Sequence, residues 1–310
     1  MKKNLISNVN LSLHLKGVTF ILFLTCFVSW KYPTQAPVVI YYSNPFAGTL
    51  ERTDGHSITV LAKPGGFPSG LAMGLDHSLY LGSQMLKTLC RYTAKGEVMG
   101  KAFGTGHTYT GMAIGPDNKL YAAENDGTSA NGQVERYQVP TEIANGTLLA
   151  DSNLAAYTKV HASSYFEGLA FGPDGNLYCA SKHSNSILVY QGPKGKKPGA
   201  LIKEMAGADQ ASGLAFGPDG KLYVSGFSNN TIARFNGKTF ETFITGSNLK
   251  GPMGIAFGKD GYIYVANTGF GRDGNIARFQ GPNGTSPGKF VDIFASMLSG
   301  GPVYLVIADK

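Results

Sequence analysis

The chain has 310 residues, among them 42 glycines and 15 prolines, with 43% hydrophobic and 15% charged residues. Glycine is about twice its usual share, yet glycine plus proline stays below the level of low-complexity chains, so the composition is that of a turn-rich folded β protein and excludes a fibrous or disordered one. The formal net charge is +7, from 27 basic and 20 acidic residues, but Lys2, Lys3, Lys16 and Lys31 lie in the first 36 residues, which hold no acid; the remainder has 27 less 4, or 23, against 20, a net +3. That balance excludes nucleic acid as a partner on electrostatic grounds.

Residues 1–36 read as a secretory signal. MKK opens the segment, Gly17 to Trp30 (GVTFILFLTCFVSW) is a short apolar run, and Thr34-Gln35-Ala36 is a small-x-small cleavage site. The run is shorter than the about 20 residues a membrane span needs. Pro37 directly after the cut is unfavourable for a signal peptidase, which leaves an uncleaved N-terminal anchor as the alternative. The expected location is secreted or periplasmic, in the cell envelope, with no membrane contact beyond such an anchor.

From Val38 onward the chain repeats. VVIYYSNPFAGTLERT (Val38 to Thr53) and HSITVLA (His56 to Ala62) supply three strand-like segments. Five copies of one sentence follow: SGLAMGLDHSLYLGS from Ser69, TGMAIGPDNKLYAAE from Thr110, EGLAFGPDGNLYCAS from Glu167, SGLAFGPDGKLYVSG from Ser212 and MGIAFGKDGYIYVAN from Met253. In each, a Gly (70, 111, 168, 213, 254) stands ten residues before a Tyr (80, 121, 178, 223, 264), with an Asp (76, 117, 174, 219, 260) at a fixed offset between them. The apolar runs on either side of PDG or its variants predict a hairpin, because Pro presets φ, Asp bonds its local backbone and Gly takes positive φ. TIARF and its equivalents predict a third strand, and TFETFIT (Thr239 to Thr245) and FVDIFAS (Phe290 to Ser296) a fourth. The steps between first glycines are 41, 57, 45 and 41 residues, the period of four-stranded propeller blades.

The chain ends in GPVYLVIADK (Gly301 to Lys310), which aligns with GPMGIAFGKD (Gly251 to Asp260) and so supplies the inner strand of a sixth blade. The strands at 38–62 complete that blade and close the ring without a free sheet edge. The prediction is all-β: a signal peptide over 1–36 and a six-bladed β-propeller over 37–310, four antiparallel strands per blade, monomeric. A five-bladed ring would strand two good β segments. Cys90 and Cys179 fall two blades apart and are expected as buried free thiols. GPKGKKPG (Gly192 to Gly199) is expected as a solvated hairpin loop.

Functional groups are expected on the face whose loops enter the inner strands and join second to third strands. Those loops vary, whereas the PDG turns on the opposite face do not. The Tyr-to-closing-aromatic spacing is 12 in blades 1, 3 and 4 but 16 in blade 2 and 15 in blade 5, with the extra residues in ENDGTSANG (Glu124 to Gly132) and NTGFGRDGN (Asn267 to Asn275). Before the second and third inner strands stand His107 and Tyr109, then His161, Tyr165 and Glu167; Glu124, Asp126, Lys182, His183, Asn267, Arg272 and Asp273 are expected in loops between second and third strands. Glu167 is the only carboxylate directly before an inner-strand glycine, facing the channel. Buried there it needs a cation, a donor or a proton beside it. The repeated Asp has a structural explanation in the turn.

The GLAFGPDGNLYVAS-type wording resembles NHL-repeat propellers and the wider superfamily of gluconolactonase/regucalcin-like hydrolases and virginiamycin B lyase-like enzymes, over the whole of residues 37–310. Gluconolactonase-like enzymes hold Ca²⁺ with Glu, Asn and Asp before the inner-strand glycines. The matching column here reads Ser69, Thr110, Glu167, Ser212, Met253 and Val303, so only Glu167 fits, and one carboxylate is a meagre site for a hard cation. Streptogramin-lyase-like enzymes place His in that column, and none stands there. The resemblance thus implies a binding propeller for a protein, glycan or small molecule. The alternative is a divalent-cation-dependent lactonase or a C–O lyase (Ca²⁺, Mg²⁺ or Zn²⁺) built on Glu167 as the metal residue, with Glu124, His161 and His183. A third reading is an envelope assembly role, marked by an apolar patch around Phe46, Phe227 and Phe270.

Overall fold

The protein is described here by a computed structural model covering residues 8–15, 18–25, 37–100, 102–104, 106–125, 131–138, 147–148, 156–162, 164–297 and 299–308. The chain divides into two units, Met1–Ala36 and Pro37–Lys310. In the first, Asn8–Leu15 and Val18–Thr25 pair as an antiparallel hairpin. Among the described residues no helix is long and apolar enough to cross a membrane.

The second unit is a six-bladed β-propeller. Blade 1 is built from Pro68–Met73, Leu79–Ser83 and Leu89–Tyr92, and blade 2 from Thr108–Ile114, Lys119–Asn125, Asn131–Gln138 and Thr147–Leu148. Blade 3 is Phe166–Phe171, Leu177–Ser181, Ser186–Tyr190 and Leu201–Ala206; blade 4 is Ala211–Phe216, Leu222–Gly226, Thr231–Phe235 and Phe240–Thr245. Blade 5 is Pro252–Phe257, Tyr262–Asn267, Asn275–Gln280 and Phe290–Ser296. Blade 6 joins the two ends: Leu305–Ala308 pairs with Val39–Asn44 (Leu305 opposite Tyr42, Ala308 opposite Val39), followed by Thr49–Thr53 and Ile58–Ala62. Every strand of the ring lies within residues 37–308, so closure needs no strand from the first unit.

Two blades depart from four regular strands. In blade 1 the outer position, among the described residues, is held by the isolated bridges Tyr92–Val98 and Leu89–Phe103 and by Met99 N donating to Arg91 O at 2.8 Å, with Gly100 at φ 77° interrupting the extended run. In blade 2 the edge of Asn131–Gln138 is covered in two pieces, Thr147–Leu148 at one end and His161–Ala162 at the other.

There is no single core. Six apolar clusters fill the six spaces between neighbouring blades. Strand alternation distributes the side chains: Leu79 and Leu81 pack back onto blade 6, while Tyr80 between them packs forward onto Tyr109 and Met112 of blade 2. The repeated glycine explains how closely the blades pack. A Cβ on Gly70, Gly111, Gly168 or Gly213 would stand 2.1, 1.9, 2.4 or 2.0 Å from the carbonyl oxygen of Thr110, Glu167, Ser212 or Met253, and no side chain fits that gap. The repeated Asp holds the turn. Asp117, Asp174, Asp219 and Asp260 accept the hydroxyls of Tyr121, Tyr178, Tyr223 and Tyr264 at 3.0, 3.0, 3.0 and 2.6 Å. In blade 1 Arg91 takes Asp76 instead.

Candidate functional site

Most inner strands carry a register shift at the glycine: the ladder passes from Phe166 to Leu169, from Ala211 to Leu214, from Pro252 to Ile255 and from Pro68 to Leu71. Such bulges release a residue from the ladder and re-aim its side chain. In blade 3 the released pair is Glu167–Gly168. Glu167 is 5% exposed, and its Oε1 lies 3.7 Å from the Lys182 ammonium. Its Oε2 accepts the hydroxyl of Tyr304 at 3.3 Å.

Tyr304 comes from blade 6, opposite blade 3 in a six-fold ring. It occupies the place that glycine holds in the other five blades, so the one unit without the glycine sends a phenol across the channel to the one carboxylate. Burial pushes the Glu167 carboxyl above its ordinary value, opposed by Lys182 and Tyr304. Burial also pushes the Tyr304 phenol up, reinforced by Glu167. Lys182 extends over the Phe227 ring, Nζ to centroid 4.7 Å, and His183 lies against Tyr165 with ring centroids 5.5 Å apart. Below this bar the channel contains a cavity of about 190 Å³ lined by Leu71, Met112, Leu169, Leu214, Ile255 and Leu305 among others. Among the described residues Tyr304 is the one titratable side chain that lines it.

The remaining candidates sit as follows. Glu124 is not in a loop: it lies within Lys119–Asn125 and is 2% exposed, at the position where Ser83, Ser181 and Gly226 end the second strands of blades 1, 3 and 4. It meets His107 Nδ1 at 2.8 Å and accepts from Gln133 at 3.0 Å. Burial raises the Glu124 carboxyl. Tyr109 is fully buried, its hydroxyl 2.8 Å from that of Tyr137, which donates to Glu135. His161 pairs with Ser164, Nδ1 to Oγ 2.8 Å. Asn267 is likewise no loop residue. It ends Tyr262–Asn267, fully buried, and serves the backbone by donating to Asn248 O at 2.9 Å and accepting from Lys250 N at 3.1 Å. Arg272 and Asp273 are exposed, with Asp273 3.2 Å from Lys250. Asp126 lies outside the described residues. Cys179 is buried and Cys90 only half-buried; both are free.

The structure therefore brings Glu167, Lys182, Tyr165 and His183 together, and joins Glu124 to His107, but leaves His161 with its own partner. Among the described residues no three His, Cys, Asp or Glu side chains stand together as metal ligands would. The first neighbours of Glu167 are an ammonium and a phenol, a donor set that does not fit a divalent cation needing several oxygen ligands. Tyr304 was missed by sequence reasoning, although its alignment with Gly254 marks it.

The loop face also carries an aromatic arc. Phe46 packs edge-on against Phe67 (5.5 Å) and Phe227 against Phe270 (5.5 Å). Glycines clear the space between them: a Cβ on Gly271 would meet the Phe46 ring at 2.7 Å, and one on Gly251 would meet both Phe227 and Phe270 at 3.2 Å. Leu86 lies over Gly66 beside Phe67, since a Cβ there would fall 2.2 Å from Leu86 Cγ. Phe67 and Phe270 adopt φ of 60° and 53°, a left-handed backbone that bulky residues rarely take and that costs on the order of 1–3 kcal/mol.

No protein-family profile matches the chain, and no curated protein matches it in sequence. Solved structures match in fold. A Bacteroides caccae protein of unknown function aligns with TM-score 0.62 at 12% identity, covering 89% of this chain and all of that one. A catalytically inactive virginiamycin B lyase from Staphylococcus aureus with quinupristin gives 0.54 at 15%, covering 98% of this chain and all of that one. A gluconolactonase from Xanthomonas campestris gives 0.54 at 15%, covering 74% and 79%. At these identities the likeness defines the class by fold alone, a six-bladed β-propeller.

Proposed function

We propose that this chain is an exported binding propeller that takes a ligand or protein partner at the Glu167–Tyr304–Lys182 mouth of its loop face. The observation that carries the reading is the cross-channel contact: a buried carboxylate reached by a tyrosine from the opposite blade, with both of its polar contacts long. A hydroxyl donor normally stands 2.5–3.0 Å from its acceptor, so Glu167 at 3.3 and 3.7 Å retains capacity for a further donor from a ligand. Tyr165, His183 and Phe227 supply flat apolar surface around it. Export rests on the basic, apolar and small-residue order of residues 1–36. A lactonase-like or lyase-like activity is the second reading, and it is weaker because, among the described residues, no three His, Cys, Asp or Glu side chains gather as metal ligands around Glu167.

The test is thermal unfolding of residues 37–310 against a panel of small metabolites, peptides and oligosaccharides, and against Ca²⁺, Mg²⁺ and Zn²⁺ with EDTA as control, in parallel with Glu167→Gln. A ligand at about 100 times its Kd adds roughly 2.7 kcal/mol, a rise of about 5–11 °C in a domain of this size. A compound that shifts the wild type and not the variant supports the reading. A shift by a metal ion lost in Glu167→Gln favours the enzyme. A ligand that shifts both proteins equally places binding elsewhere and refutes the assignment. Export is tested by N-terminal sequencing of the processed protein, which should begin at Pro37.

A further inference from the structure

We infer that the aromatic arc on blades 1, 6 and 5 docks the propeller onto an anionic lipid surface. This is a second use of the loop face, independent of what occupies the mouth at Glu167. Four of the arc's apolar side chains project from three loops: Met85 is 73% exposed and Leu86 53% on one, Phe270 56% and Phe46 52% on the others. They form one continuous surface through the contacts of Leu86 with Gly66, Phe67 with Phe46, and Phe46 with Gly271. A contiguous exposed apolar patch of this kind marks a protein or membrane contact.

Two features favour lipid. The rings and Met85 offer no hydrogen-bonding groups, whereas protein interfaces carry about one hydrogen bond per 100–200 Å². The flanking charge is also one-sided. Among the described residues, the loops of blades 1, 5 and 6 on this face contain Lys63, Lys87, Lys250 and Arg272 against Asp273 alone, four less one or +3, all exposed. Apolar tips ringed by Lys and Arg match a bilayer interface: the tips enter the acyl boundary while the cations meet anionic headgroups. The left-handed backbone of Phe270 holds a ring that stays 56% exposed, while half-buried Phe67 packs edge-on against Phe46.

The test is co-sedimentation of residues 37–310, which contain every strand of the ring, with vesicles of phosphatidylcholine alone or mixed with phosphatidylserine. Sedimentation is expected with the mixed vesicles only, weakening as salt rises. Lys63→Glu with Lys87→Glu should weaken it by at least about tenfold, given about fivefold per cation near such a surface. Phe46→Ser with Phe270→Ser should reduce it by about tenfold or more, while Ile202→Ser on the exposed outer strand of blade 3 leaves it unchanged. Circular dichroism confirms that each variant is folded. The inference is overturned if the folded wild type ignores anionic vesicles, if binding survives both double variants, or if the Phe variants instead abolish self-association measured by sedimentation without lipid.

Discussion

Replacing the repeated glycines by alanine tests how the blades are held at their spacing. In Gly213→Ala the new Cβ would lie 2.0 Å from the Met253 carbonyl oxygen and 2.8 Å from its carbon. About 1 Å of separation must be found between two backbones. The same carbonyl accepts the Ser225 hydroxyl at 2.6 Å, and Gly213 N donates to that hydroxyl at 2.7 Å. Moving the blades strains both buried bonds, each worth about 1 kcal/mol, on top of roughly 1–3 kcal/mol for overpacking. The lower chain entropy of alanine in the unfolded state returns only about 0.4–1 kcal/mol. The net is a loss of about 3 kcal/mol, or about 6–12 °C in melting temperature. Gly254→Ala is the internal comparison, because its Cβ would stand 2.9 Å from the Val303 oxygen and should cost about half as much. Calorimetry of both variants decides the matter. Equal losses, or a Gly213→Ala protein as stable as wild type, would refute the steric account of the repeat.

Other outcomes follow from the same geometry. Asp260→Ala removes the acceptor of Tyr264 Oη at 2.6 Å and of Tyr262 N at 3.2 Å and should destabilise by about 2 kcal/mol; Asp174→Ala, whose corresponding bonds are exposed, should lose less in urea unfolding. The raised carboxyls of Glu167 and Glu124 bind protons more tightly folded than unfolded, so their contribution to stability grows as pH falls from neutrality through their folded values toward the ordinary carboxylate range. Glu167→Gln should flatten that part of the stability–pH curve, and a steeper curve in the variant would contradict the assignment. The Cys179 thiol, fully buried and pushed well up, should resist alkylation in the native protein and react on unfolding, while half-buried Cys90 reacts first; labelling with mass spectrometry reads the order.

The architecture was written in the sequence because each blade repeats its constraints locally. Gly213 needs a gap, Asp219 needs the Tyr223 hydroxyl four residues on, and the same offsets recur in every copy. Ring closure was legible because GPVYLVIADK aligns with GPMGIAFGKD. The outer positions of blades 1 and 2 were not, since bridges such as Leu89–Phe103 depend on glycine conformations rather than on strand patterning. At the site, Glu167 stood out as the one carboxylate in its column, and the neighbouring Lys182 and His183 were visible on the next loop. Tyr304 shows in the sequence only as the residue aligned with Gly254, and its contact across the ring with a position 137 residues away is set by ring closure rather than by local pattern. The burial of Glu124 and Asn267 escaped for a related reason: both stand at the end of the second strand of their blade, and their partners Gln133 and Asn248 are chosen by pairing between segments. The sequence marks Phe46, Phe227 and Phe270 as an apolar patch, whereas Phe67, Met85 and Leu86 join it through contacts made by folding.

The most direct test of the account is a carbon-13 NMR titration of the Glu167 carboxyl in the wild type and in Tyr304→Phe. If the cross-channel bar closes the mouth as described, Glu167 titrates above the ordinary value of 4.5, and losing the Tyr304 donor moves it higher still, because that bond favours the charged form. A Glu167 that titrates at or below the ordinary value, unmoved by Tyr304→Phe, would mean a solvated carboxylate with no partner across the channel, and the proposed site would fall with it.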